Sequence, residues 1–324
     1  MSRDAALVPA FPHVPAVETD AVVPTAVGDL GAILRAPTDG GATVGVVLVD
    51  GSGDGDRHDW GGWPEFLTDA GAAVLRHDKP GCGGSPGHWT DQTLEDRARE
   101  SLAAVRVLRA DPAAVGRPVG LYGTSQGGWV AILAAAMEPG LVDFVVCHSG
   151  PGTTPAEQER ARQEARVRAG GHDEATVAEA MAWVDERADL LRSDVPVEAI
   201  LAAQAAHADR PWYPAVLEPY DTPTILRFVR GVLDFDPVAV LPRVRCPVLV
   251  LFGAADDVVP VRSSLAAFAC ALPEHPGHGF AVFPQGDHGL FVADPVDGVP
   301  RRDQLAPAYL ATVAGFLGGV ATGR

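Results

Sequence analysis

The chain has 324 residues, 47% of them apolar, which is enough for one large α/β domain with an insertion or for two modest domains, and which excludes a disordered chain. Its formal net charge of −17 is spread along the sequence, and an acidic surface repels phosphate, so a nucleic-acid partner is not expected. Four scattered cysteines without a Cys-x-x-Cys pair indicate neither a metal site nor a disulfide framework, and the single lysine, Lys79, sits in a glycine-rich loop that ill suits a Schiff-base enzyme.

Residues 1–15 hold no basic stretch followed by an apolar one, and no run of about eighteen apolar residues occurs anywhere, so a soluble, cytoplasmic protein with no membrane partner is expected. Two weak strands are predicted over 20–24 and 30–36, followed by a buried strand over 44–49. After Asp50 come a glycine-rich loop, a short helix over 63–70 and a strand over 73–76. Residues 91–109 form an amphipathic pattern with Leu94, Ala98, Leu102, Val105 and Leu108 on one face and the charges on the other, stopped by Asp111-Pro112. A strand over 119–122, a helix over 126–137 and a strand over 142–147 follow. Short apolar strands alternating with helices predict an α/β protein with a mostly parallel sheet covered on both faces.

Regularity breaks at Pro151, where helices over 156–169, 174–192 and 197–208 precede Pro211-Trp212-Tyr213-Pro214. The alternation resumes with a strand over 248–252, a helix over 262–272, a strand over 280–283 and a closing helix over 303–317. The chain therefore reads as core 1–150, insertion 151–243 and core 244–324.

Gly123-Thr124-Ser125-Gln126-Gly127 lies between a predicted strand and a predicted helix, the setting of a nucleophile elbow, where the flanking glycines leave room for crowded backbones. With 36 glycines in the chain the spacing alone is weak, and its context carries the argument. A serine hydroxyl needs a base within reach and a third group to orient that base, and in open α/β sheets such groups gather at the carboxyl ends of strands. Asp256 follows the strand over 248–252, and His288 follows the strand over 280–283, so the order Ser, Asp, His is available. Asp257 competes with Asp256, but the spacing from Gly253 to Pro260 favours Asp256. His275 and His278 precede the last strand and read as exposed loop residues. Asp287 reads as fixing its loop, and Asp234 and Asp236 as capping the end of the insertion.

Four motifs carry a family resemblance: the elbow, the Gly-x-x-Asp-x-x-Val-Pro run at 253–260, Gly286-Asp287-His288-Gly289, and Arg76-His77-Asp78-Lys79-Pro80-Gly81-Cys82-Gly83-Gly84-Ser85. Over nearly its whole length the chain resembles an α/β-hydrolase-fold serine hydrolase of the carboxylesterase-like type with a helical cap. The resemblance implies the α/β-hydrolase fold, with 151–243 as the cap inserted between the sixth and seventh strands, and a structural role for the loop at 76–85. It implies a triad of Ser125, His288 and Asp256 that cleaves a small-molecule carboxylic ester through an acyl-enzyme, with no cofactor and no metal. Thioesters, short peptides and carbon–carbon bonds are alternatives on the same triad, and a non-catalytic binding protein is a reading from another class. The dehalogenase and epoxide-hydrolase branches carry aspartate where Ser125 stands.

Gly51-Ser52-Gly53 and Asp56-Arg57 are similar to an esterase oxyanion loop, which implies Ser52 and Gln126 as the backbone N–H donors. Many relatives have His-Gly where this chain has Asp50-Gly51, which leaves the register of the hole open by one residue. Within the insertion, Trp183, Trp212 and Tyr213, with Phe228, are candidates to line an apolar substrate pocket, or else form the seam packed on the main domain. Trp60 and Trp63 carry the same two readings. Arg160, Arg162, Arg166 and Arg168 alternate with glutamates and read as a solvated face.

Overall fold

Strands β1 (Ala16–Thr25) and β2 (Gly28–Pro37) pair antiparallel along their full length, and the parallel part of the sheet begins with β3 (Val44–Val49), a Val-rich run buried at every position. The computed structural model describes residues 13–323, so most of the segment read for a leader, residues 1–12, lies outside the described residues. Helix α1 (Trp63–Asp69) leads to β4 (Ala72–His77), α2 (Leu94–Ala110) to β5 (Val119–Thr124), and α3 (Gln126–Met137) to β6 (Val145–His148). Six helices then intervene: α4 (Pro155–Ala169), α5 (Glu174–Arg192), α6 (Val197–Ala205), α7 (Tyr213–Leu217), α8 (Pro223–Val232) and α9 (Pro237–Val240). The chain returns to the sheet as β7 (Val248–Gly253), α10 (Val261–Ala271) and β8 (Gly279–Phe283), and ends in α11 (Tyr309–Thr322).

The eight strands lie in the order β1-β2-β4-β3-β5-β6-β7-β8, with β2 antiparallel to both neighbours and every other pair parallel. Helices α2, α3 and α10 cover one face through Leu102, Val130 and Phe268, while α1 and α11 cover the other through Leu67, Tyr309 and Val313. From β3 the chain moves outward to β4 and then crosses back to place β5 on the other side of β3. That reversal leaves a crevice outside the carboxyl ends of β3 and β5, where open α/β sheets hold ligands. Among the described residues no helix is long and apolar enough to cross a membrane.

The helices α7, α8 and α9 answer to no predicted element, and two predicted helices start later than the sequence pattern suggests. The helix predicted over 91–109 starts at Leu94, because Thr93 caps it: its side chain accepts from Asp96 N–H while the Asp96 carboxylate accepts from Thr93 N–H. On that helix Arg97 and Glu100 are buried, so the expectation that all its charges face outward fails. The closing helix begins at Tyr309 rather than at 303, since Arg301–Asp303 forms a 3₁₀ turn and Pro307 follows it. It then runs on to Gly323, whose φ of +67° is the left-handed cap that glycine supplies.

The inserted helices have a core of their own. Trp183 and Trp212 are buried there with Val167, Val177, Met181 and Val216, and Tyr213 packs against the same cluster. The aromatic pocket expected of Trp183, Trp212 and Tyr213 is therefore not what these side chains form: they fill the apolar seam between α4, α5 and α7.

Candidate active site

Ser125 sits between β5 and α3 with φ +52°, a conformation that a non-glycine residue holds only when its surroundings enforce it. Enforcement comes from close backbone packing. A Cβ on Gly123 would run into the Gly127 carbonyl, and one on Gly127 into the Val49 and Asp50 carbonyls, so both flanking positions require glycine. Ser125 N–H also donates to the carbonyl of His148 at 2.9 Å, tying the elbow to the end of β6.

Asp256 and His288 come from the carboxyl ends of β7 and β8 and meet in one hydrogen bond, His288 Nδ1 to Asp256 Oδ2 at 2.9 Å. The Asp256 side chain is fully buried, and its other oxygen accepts from Val258 N–H at 2.8 Å and Val259 N–H at 2.9 Å, which sets its rotamer. The two loops can approach because Gly253 is bare: a Cβ there would collide with the Gly286 and Asp287 carbonyls. Asp257 is exposed and takes no part. Asp287 accepts from Gly289 N–H at 3.0 Å and Phe291 N–H at 2.9 Å and pairs with Arg301, which shapes the turn that carries His288. His278 lies at the opposite end of β7, where Nδ1 accepts from Val248 N–H at 3.0 Å; it is half-buried rather than an exposed loop residue.

Ser125 and His288 both line a cavity of about 570 Å³ beneath the inserted helices, and both also border a second cavity of about 340 Å³ toward Trp60 and Trp63. No hydrogen bond joins Ser125 Oγ to His288 among the described residues. Gly51, Ser52 and Gln126 line the larger cavity as well. Gly51 N–H is taken by Asp50 Oδ1 at 2.7 Å, whereas Ser52 N–H has no acceptor among the described residues.

The walls of the larger cavity differ from the expected apolar pocket. Trp129, Tyr220, Val229 and Leu233 supply apolar surface, but Arg162 and Arg166 of α4 also face it, so these two do not belong to a solvated face. Arg162 pairs with Glu159 within the cavity wall, and Arg166 lies 3.6 Å from the Glu218 carboxylate. Phe228 packs edge-on against Trp89, with ring centroids 5.1 Å apart. Trp63 borders the smaller cavity and donates its indole N–H to Tyr122 Oη at 3.1 Å.

Three site residues escaped sequence reasoning. His148, the last residue of β6, is buried beside the elbow with Nδ1 2.6 Å from Tyr122 Oη, and Tyr122 Oη also bonds Tyr309 Oη. Burial pushes the His148 pKa down to about 3, and the neighbouring His288 adds to the shift, so this imidazole is neutral. A polar residue directly after an apolar strand next to the elbow strand is the signal that marks it. Lys79 and Arg97 are buried behind the loop after β3; the loop at 76–85 and helix α2 bring them together, and no spacing in the sequence announces that. In the same loop, Asp78 accepts from Arg57 N–H at 2.9 Å and Ser85 Oγ at 2.6 Å and pairs with the Arg57 guanidinium. Among the described residues no group of three or more His, Cys, Asp or Glu side chains is placed to hold a metal ion.

The model of the alpha/beta hydrolase family matches residues 41–301. None of the curated proteins compared with the chain matches it. Solved structures with the same architecture include an esterase of Pyrococcus furiosus (TM-score 0.60, 18% identity, 93% of this chain and 91% of that one). A proline iminopeptidase of Mycobacterium smegmatis has TM-score 0.58 and 18% identity, over 94% and 99% of the two chains. A dienelactone hydrolase of Anabaena variabilis has TM-score 0.54 and 18% identity, over 95% and 98%. With the elbow at the end of β5 and the family model matched over most of its length, the chain belongs to the alpha/beta hydrolase family.

Proposed function

We propose that the protein is a serine hydrolase that cleaves a small-molecule carboxylic ester through an acyl-enzyme, with residues 151–243 acting as its cap. The observation that carries this reading is the His288–Asp256 hydrogen bond beside a strained serine, with both Ser125 and His288 on the wall of one cavity. Ser125 Oγ attacks the carbonyl and gives its proton to His288 Nε2. Asp256 holds the proton on Nδ1, so that Nε2 presents its lone pair, and it stabilises the imidazolium that forms. The nucleophile–base hydrogen bond is often long before substrate binds and tightens in the complex.

The N–H groups of Ser52 and Gln126 receive the developing oxyanion, each contributing about 3–4 kcal/mol to the transition state. The engagement of Gly51 N–H by Asp50 supports Ser52 over its neighbour as the loop donor. His288 then protonates the leaving alcohol, and water attacks the acyl-enzyme by the same steps in reverse. None of these steps uses a cofactor. A cavity of about 570 Å³ lined by apolar and charged side chains together suits an ester of a small or medium acid.

The test is hydrolysis of p-nitrophenyl esters of graded chain length, set beside thioester and amide substrates, together with labelling by a fluorophosphonate. Wild type is expected to turn over esters and to be labelled at Ser125, and Ser125→Ala to lose both while keeping its melting temperature. A wild-type protein that is folded yet unlabelled refutes the reading and leaves a non-catalytic binding protein.

A further inference from the structure

An oxyanion loop has a back side. If its N–H groups point into the cavity, its carbonyls point the other way, and a buried carbonyl needs a donor. Here the donors are two cations from distant parts of the chain. Lys79 Nζ donates to Gly51 O at 2.7 Å and to Gly53 O at 2.6 Å, and lies 3.4 Å from Asp50 Oδ2. Arg97 donates to Asp50 O at 2.7 Å and to Gly51 O at 3.2 Å, and its Nη1 also donates to Gln126 Oε1 at 2.5 Å. Lys79 is 3% exposed and Arg97 is 6% exposed.

The covalent connectivity gives this arrangement its meaning. Gly51 O and Ser52 N–H are the two ends of one peptide unit. Both cations therefore sit on the acceptor end of the amide that joins Gly51 to Ser52, two residues on the cavity wall. Positive charge at the carbonyl oxygen draws electron density from the amide nitrogen and strengthens its N–H as a donor, as linked hydrogen bonds polarise one another in a low-dielectric interior. Arg97 reaches the other side of the hole as well, since the Gln126 it holds carries the second N–H.

We propose that Lys79 and Arg97 are positioning residues of the oxyanion hole, gripping the Gly51–Ser52 peptide from behind so that Ser52 N–H is aimed and polarised toward the carbonyl oxygen of the substrate. The inference rests on the serine hydrolase reading above. The groups facing Lys79 are Asp50, Arg97 and Cys82; burial and the Arg97 charge lower its pKa to about 8, against the opposing pull of Asp50. The grip therefore loosens as pH rises through about 8. Burial also lowers the Arg97 pKa, against the opposing pull of Asp50 and Glu100, and a guanidinium keeps its charge over this range.

Lys79→Met keeps the length of the side chain and removes its charge and donors. On a p-nitrophenyl ester it is expected to lower kcat by about 10- to 100-fold, less than the 10²–10³ of losing a donor outright, with KM within about twofold. Wild-type kcat falls as pH passes about 8, and the kcat of Lys79→Met is low and flat there. Arg97→Lys, which keeps the charge, retains more activity than Arg97→Met. A readout independent of turnover is the amide resonance of Ser52, which moves with the titration of Lys79 in wild type and is flat in Lys79→Met. Should Lys79→Met fail to fold, the wild-type resonance alone decides the coupling. A folded Lys79→Met with wild-type kcat, or a Ser52 amide indifferent to pH between 7 and 9 in wild type, overturns the proposal. A wild-type protein unlabelled at Ser125 sinks the hydrolase reading instead, and the Ser52 resonance still reports on the grip.

Discussion

Asp256→Asn tests the acid proposed to orient His288, with almost no change in shape. The two oxygens of Asp256 have unequal duties: Oδ1 accepts two backbone N–H groups, from Val258 and Val259, and Oδ2 accepts one ring N–H, from His288. An asparagine placed here keeps its oxygen on the two backbone donors, because the flipped amide strands both of them at about 1–3 kcal/mol each to satisfy a single ring nitrogen. Its NH₂ then points at His288 Nδ1, which becomes an acceptor. The ring proton moves to Nε2, and the imidazole has no lone pair to take the Ser125 proton. A wrong tautomer of this kind lowers kcat by about 10⁴, or about 5.4 kcal/mol at 1.36 kcal/mol per factor of ten. Stopped-flow release of p-nitrophenol measures acylation directly, and thermal unfolding confirms that the fold is retained. Asp287→Asn, whose carboxylate serves the Gly289 and Phe291 amides and Arg301, is the control and is expected to cost less than about tenfold. If folded Asp256→Asn keeps more than about a tenth of wild-type acylation, Asp256 does not orient the base.

Two stability experiments address the framework. Gly127→Ala puts a Cβ against the Val49 and Asp50 carbonyls, so the elbow has to shift; a loss of about 1–3 kcal/mol is expected in urea unfolding, together with a fall in kcat. Gly231→Ala on α8 has open space around the new methyl and is expected to stabilise by about 0.4–1 kcal/mol, which separates crowding from a general effect of adding a side chain. His148 supplies a pH test. Its pKa is about 3 in the folded protein against an ordinary histidine value of 6.5 once the chain unfolds, so between those values the unfolded chain binds the extra proton. Stability is complete above about 6.5 and falls by about 1.4 kcal/mol for each pH unit below it, down to about 3. Urea titrations at pH 7 and 4.5 are expected to show a smaller acid loss for His148→Gln than for wild type, and equal losses count against the assignment.

The strands and the elbow were legible because each depends on neighbours in sequence. Apolar runs such as Val44–Val49 and Val248–Gly253 have to be buried on both faces, and the glycines at 123 and 127 answer to a backbone approach within one turn. Asp256 and His288 were readable as candidates from one rule, that reactive groups follow the carboxyl ends of parallel strands. The misreadings share a cause. Trp183, Trp212 and Tyr213 look like pocket residues by composition, yet whether an aromatic on an inserted helix faces a cavity or its sister helices depends on how those helices stack. Arg162 and Arg166 alternate with glutamates as a solvated face does, and only the placement of α4 over the elbow turns them toward the cavity.

The sequence by itself determined the order of the sheet strands and the helices between them, the strained turn that exposes one serine, and which acid and imidazole stand at the ends of later strands, since all of these follow from local backbone sterics and hydrophobic period. Tertiary structure alone decided that the carbonyls behind the loop at 50–53 are held by Lys79 and Arg97, residues 18 positions apart on separate elements. Long-range hydrogen bonds between a loop and two buried cations leave no periodicity in the chain. They exist only because the crossing from β4 back to β5 carries α2 behind the end of β3.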